Sequence, residues 1–133
     1  MLVTIMVVEG DENLARLFTE IFKFQGWHAD SFTDASTSRD AINGDKHYDI
    51  VFTSYRVSGT TGVEIIKQIR KTDHRRHVPV VLLTGSGGIE NEAYAAGVTE
   101  VLQKPVDMHA LIKAVKRHVP HASAGTTQDE NDL

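Results

Sequence analysis

Continuous apolar runs alternate along this chain with stretches whose apolar residues recur every three or four positions. Residues 4–8, Thr-Ile-Met-Val-Val, form the first run. It does not alternate with polar residues, as expected of a parallel strand covered on both faces. Asp11 then precedes Leu14, Leu17, Phe18, Ile21 and Phe22, spaced for one face of a helix that Gly26 stops. Residues 28–32 read as a weaker second strand at a sheet edge, and 34–42 as a polar helix ending near Asn43 and Gly44. Residues 50–53 give a third strand. Ser54 opens a short loop closed by Gly59 and Gly62, and a helix over 62–71 carries Val63, Ile65, Ile66 and Ile69. Residues 78–83 form a fourth strand, with Pro79 near its start, where a missing N–H donor is tolerated. The loop Gly85-Ser86-Gly87-Gly88 leads to a short helix over 90–96 that Gly97 ends, and 98–103 is the fifth strand. Asp107 is placed to cap a last helix carrying Met108, Leu111, Ile112 and Val115.

Five strand–helix units predict an α/β fold, a doubly wound parallel sheet with helices on both faces. Ligands of such sheets sit beyond the carboxyl ends of the strands. That rule singles out Glu9, Gly10 and Asp11 after the first strand, Ser54 after the third, Thr84 and Gly85 after the fourth, and Lys104 after the fifth.

Composition narrows the picture. A length of 133 residues fits one domain. Residues 1–120 are its expected extent, and the polar stretch 121–133 reads as a disordered tail. With no cysteine, disulfides and thiolate metal sites are excluded. The net charge of -4 gives no basic field for nucleic acid. No apolar run approaches the roughly 20 residues that span a bilayer, and the start lacks a basic leader with a cleavage site. The expectation is a soluble, cytoplasmic protein bound to neither membrane nor nucleic acid.

Four stretches carry a resemblance: Val7-Val8-Glu9-Gly10-Asp11-Glu12, Tyr48-Asp49-Ile50-Val51-Phe52, Pro79-Val80-Val81-Leu82-Leu83-Thr84-Gly85, and Lys104-Pro105. In order and spacing they are similar to the receiver domains of bacterial response regulators, over residues 3–119. The resemblance implies a flavodoxin-like three-layer sandwich with a five-stranded parallel sheet of order 2-1-3-4-5. It also implies phosphoryl transfer from a kinase phosphohistidine to an aspartate after the third strand. Two acids after the first strand would help hold Mg²⁺, and a hydroxyl and a lysine would bind the phosphoryl oxygens.

Position by position, Thr84 matches the hydroxyl, Lys104 the lysine, and Pro105 the proline expected after a cis peptide bond. Glu9 matches the first acid. Gly10 falls on the second acid, and Asp11, one place further on, would reach the site only through a shifted loop. Ser54 falls on the phosphoacceptor, Ser58 on a common proline, and Val101 on the aromatic switch residue. An alcohol cannot form an acyl phosphate. The chain therefore reads as a pseudo-receiver, a stand-alone signalling module that works by phosphorylation-independent protein–protein contact. It is not expected to be an enzyme or to carry a cofactor, and Mg²⁺ binding should be weak or absent. Glu9 is the expected charge partner of Lys104, with Ser54 as a hydrogen-bond partner, and an anion such as sulfate has a place near Thr84 and Lys104.

The expected partner is a histidine kinase, a downstream regulator or a second copy. The expected surface is the family's output face: fourth helix, fifth strand and fifth helix, within 90–96, 101–103 and 107–119. No output domain follows residue 119, so action in trans, or origin as a fragment, is expected. Two other readings stay open. One is a phosphorelay receiver using another acceptor, for which Asp11 is better placed than Asp49. The other is a hydrolase with Ser54 and Lys104 as a nucleophile pair. Among the remaining features, His74-Arg75-Arg76-His77 reads as a solvated turn, and His118 with His121 as an ordinary pair rather than a metal site. Trp27 is expected to cover the end of the first helix and the second strand, and Phe18 and Phe22 to lie in the core.

Overall fold

The computed structural model describes residues 2–85 and 87–122. The strands of the main sheet are β1 (Thr4–Val8), β2 (His28–Phe32), β3 (Ile50–Ser54), β6 (Val80–Thr84) and β7 (Glu100–Gln103). All pair in parallel, in the order β2-β1-β3-β6-β7. Between β3 and the next helix lies a small antiparallel hairpin, β4 (Arg56–Val57) and β5 (Thr60–Thr61). The helices are α1 (Glu12–Phe24), α2 (Ala35–Asn43), α3 (Gly62–Lys71), α4 (Glu90–Ala96) and α5 (Met108–His118). With the hairpin set aside, this is the 2-1-3-4-5 order of the flavodoxin-like fold.

Burial explains why the strands read as unbroken apolar runs. On β1, Ile5 and Val7 face the layer of α1 and α5 with Phe18, Phe22 and Leu111. Met6 and Val8 face the opposite layer with Ile42, Ile65, Ile66 and Ile69. Both faces are thus dry, and alternation with polar residues is lost. Trp27 packs with Phe22 at a ring-centroid distance of 6.3 Å, and Phe22 with Phe52 at 5.1 Å.

Side chains cap the helices where expected. Asp11 accepts from the amides of Asn13 and Leu14, and Asp107 from that of Ala110. These bonds satisfy N–H groups that have no intrahelical partner.

The structure corrects several expectations. Ser54 is the last residue of β3 rather than the first of a loop, and the β4–β5 hairpin comes after it. The fourth and fifth strands begin two residues later than expected, at Val80 and Glu100. Leu17, expected on the buried face of α1, is 51% exposed. His121 and Ala122, assigned to a disordered tail, are helical, and Ala122 is buried. The rest of that tail, 123–133, lies outside the described residues. Arg75 is not in a solvated turn. It is buried, and its guanidinium donates to the carbonyls of Ile42, Ala41, Gly44 and Lys46, tying down the end of α2.

Candidate functional site

The carboxyl ends of β1, β3 and β7 bring Glu9, Ser54 and Lys104 together around one carboxylate. Glu9 follows β1 directly and is buried. Its Oε1 accepts from the Ser54 hydroxyl at the end of β3. The same oxygen accepts from Lys104 Nζ at 2.8 Å, just past β7. Its Oε2 accepts from the backbone N–H of Asp11 at 2.9 Å. Glu9 is therefore the hub, and the expected pairing with Lys104 is present. Ser54 takes part differently from expectation, bonding to Glu9 itself. The Lys104–Pro105 peptide is cis, as the resemblance implied.

One cleft opens on this hub and a second lies beside its lysine. One, of about 690 Å³, is lined by Glu9, Gly10, Asp11, Tyr55, Arg56 and Lys104, among others. The other, of about 300 Å³, lies between Tyr55, Arg56, Thr84, Gly85 and Lys104. Lys104 borders both. Thr84 ends β6 and is buried beside the second cleft. Val101 sits half-buried on β7, paired with Leu82 of β6.

Gly10 has a structural reason. Its amide donates to the Arg56 carbonyl at 3.3 Å, and a Cβ built there would lie 2.9 Å from that oxygen. Real side chains do not approach so closely, so the hairpin occupies the space an acid at position 10 would need. The hairpin is also fastened elsewhere. Ser58 bridges to Asp34, and the Ala35 amide donates to the Ser58 carbonyl at 2.8 Å. Gly62 plays the matching part at the other end, since a Cβ there would lie 2.4 Å from the Ser54 carbonyl oxygen. Sequence reasoning noted the absent acid but not the hairpin that fills its place; the signal was the Gly59 and Gly62 pair.

Asp11 lines the larger cleft and serves as the cap of α1. Its Oδ1 is engaged by the first amides of α1. Asp49 lies at the opposite end of β3, where Oδ2 accepts from the Thr4 amide at 2.8 Å. The donor set is a poor fit to Mg²⁺, which favours octahedral oxygen ligation including carboxylates. Glu9 is already bound on both oxygens, Gly10 has no side chain, and Ser54 offers a neutral hydroxyl. Nor does Lys104 face Ser54 as a base, because both groups donate to Glu9.

On the expected output surface, Gln103 donates to Glu90 at 2.8 Å, joining β7 to α4, and Tyr94 is exposed. His118 is held by Glu100 at 2.7 Å. His121 Nε2 is 3.6 Å from Asp49 Oδ1. The described residues contain no cluster of three or more His, Asp or Glu able to hold a metal ion.

A doubly wound sheet with a lysine, a hydroxyl and an acid meeting at its carboxyl edge defines a receiver-type protein. The profile of the response regulator receiver domain matches residues 5–116, and the chain belongs to that family of two-component signalling domains. It is 28% identical over 117 residues to the regulatory protein AtoC of Escherichia coli (strain K12), covering 85% of this chain but 24% of AtoC. The chain thus spans about a quarter of that relative's length. It is 22% identical over 121 residues to the polar-differentiation response regulator DivK of Brucella ovis, covering 90% of this chain and 98% of DivK. Among solved structures, the receiver domain of the sensor histidine kinase PA1611 from Pseudomonas aeruginosa superposes with a TM-score of 0.82. The identity is 20%, covering 90% of this chain and 99% of that one. That domain has a magnesium ion coordinated in its active site cleft.

Proposed function

We propose that this chain is a pseudo-receiver, a receiver domain that signals through protein contact without phosphorylation at the usual position. The observation carrying this reading is that Ser54, at the phosphoacceptor position, donates its hydroxyl to Glu9. An ester on that hydroxyl would displace the bond and set negative charge against a buried carboxylate. The place a side chain at position 10 would take is filled by the Arg56 carbonyl, which leaves Glu9 without a second acid beside it, so Mg²⁺ binds weakly. The chain is not an enzyme. Its partner is another signalling protein, a histidine kinase or a downstream regulator, engaged through α4, β7 and α5. No helix among the described residues is long and apolar enough to cross a membrane, which agrees with a cytoplasmic place of action.

The test is incubation with acetyl phosphate and Mg²⁺, read by intact mass. The unmodified mass is expected throughout. An acid-stable or hydroxylamine-sensitive phosphate adduct in the pocket would show that the reading is wrong.

A further inference from the structure

Helix α1 carries more apolar surface than its own core uses. Ala15, Phe18 and Phe22 are buried against the sheet. Leu14 and Ile21, partly buried against that core, and the exposed Leu17 and Phe24 form a second stripe at the core's edge, spaced three, four and three, the repeat by which one helix packs along another. Leu17 is 51% exposed and Phe24 88%. A lone exposed leucine is ordinary, but a continuous apolar patch marks an interaction surface. The stripe borders a groove of about 680 Å³ between Leu14, Leu17 and Ile21 on α1 and Pro105, Val106 and Met108 at the start of α5. Phe24 projects beyond the groove, at the far end of the same helix.

A knob and a groove on one helix are complementary to themselves under a twofold rotation. Two antiparallel copies of α1 crossing at residue 19 would set Leu14 against Phe24 and Leu17 against Ile21, twice over. The ten steps from Leu14 to Phe24 span about 15 Å of helix, so each Phe24 reaches the other copy's groove beside Leu14 and Met108. Charge selects this direction. Arg16 and Glu20 lie on one flank of the stripe. The antiparallel arrangement brings that flank of both copies together, with Glu20 of each near Arg16 of the other, whereas a parallel one puts the two flanks on opposite sides of the seam and forms no such pair. We propose that the chain self-associates through α1 in this antiparallel manner. The surface is separate from the α4–β7–α5 face and does not depend on how Ser54 is read. Lys104 lines both this groove and the cleft at Glu9, so an occupant of the groove touches the pocket's lysine.

Sedimentation velocity on the full chain, from micromolar to near-millimolar, tests the proposal. A concentration-dependent dimer is expected. Phe24→Ala, at an exposed position that folding does not need, should weaken it by roughly a hundredfold or more, the factor for losing two buried aromatic side chains, one from each copy. Arg16→Glu and Glu20→Arg should each weaken it, and the double variant should restore it. The chain has no cysteine of its own. Chains carrying Leu14→Cys should therefore form a disulfide with chains carrying Phe24→Cys under mild oxidation, and neither variant with itself. A folded monomer at every concentration would overturn the proposal. So would a dimer that Phe24→Ala leaves intact and Tyr94→Ala disrupts, or a groove filled by the helices of a histidine kinase while the chain stays monomeric.

Discussion

Both ends of the sheet bury charge, and they do so in different ways. At the amino end, Arg75 donates to four backbone carbonyls and lies 5.3 Å from the centre of the Tyr48 ring. Arg70 similarly donates to the carbonyls of Gly97, Arg76 and Val78. These cations are met by backbone dipoles and have become fasteners between loops. At the carboxyl end, Glu9 gathers a hydroxyl, an ammonium and an amide from three separate segments, beside two open clefts. The first arrangement holds the protein together. The second leaves its charge paired but bordering solvent, at the strand ends where ligands of such sheets bind.

The sharpest way to test this contrast is to remove each hub. Arg75→Ala leaves buried carbonyls without donors and should cost about 3 kcal/mol in chemical denaturation. A cost under about 1 kcal/mol would show that Arg75 is not a fastener. Glu9→Ala strands Lys104 and Ser54 and should cost about 2 kcal/mol, with an enlarged cleft rather than a loosened sheet. Hydrogen exchange confined to the carboxyl-end loops would confirm that difference.

Ser54→Asp asks whether the site is one substitution from function. It sets a second carboxylate against Glu9 and should destabilise the fold by about 1 kcal/mol at neutral pH without divalent cations. It should also leave the protein unphosphorylated by acetyl phosphate. Robust phosphorylation of this variant would erase the distinction drawn between the two ends.

The smallest effect lies at Glu100, at the amino end of β7. Burial would raise its carboxyl pKa, but His118 and Arg117 outweigh burial and hold it below its ordinary value of 4.5. A carboxyl depressed by folding adds stability above its unfolded pKa and loses it as pH falls through the folded value. The stability difference between the wild type and Glu100→Gln should therefore be steady at neutral pH and shrink once the pH drops below 4.5. A difference that grows with acidification would contradict the assignment.

Much of this molecule was legible in the chain. The strands were readable because burial on both faces leaves a continuous apolar run, and α1, α3 and α5 because caps and apolar spacing agree. That Glu9, Ser54 and Lys104 would be neighbours was readable because the topology gathers the residues that follow the strands at one edge. What stayed hidden was set by contacts across the fold. The hairpin is two residues per strand, too short for any period to register. Arg75 has the same basic neighbours whether it is solvated or buried, and only the returning end of α2 decides. The second stripe of α1 merged with the first, since leucines and phenylalanines three and four apart fit either face.

The meeting of Gly10 with the Arg56 carbonyl gives the proposed loss a direction. Any lineage descending from this sequence that regained an aspartate at position 54 would still find the neighbouring place barred by main chain. The turn after the middle strand would have to be rebuilt first, at a time when nothing yet rewarded the change. On the pseudo-receiver reading proposed above, silence at this site is held by geometry as well as by chemistry.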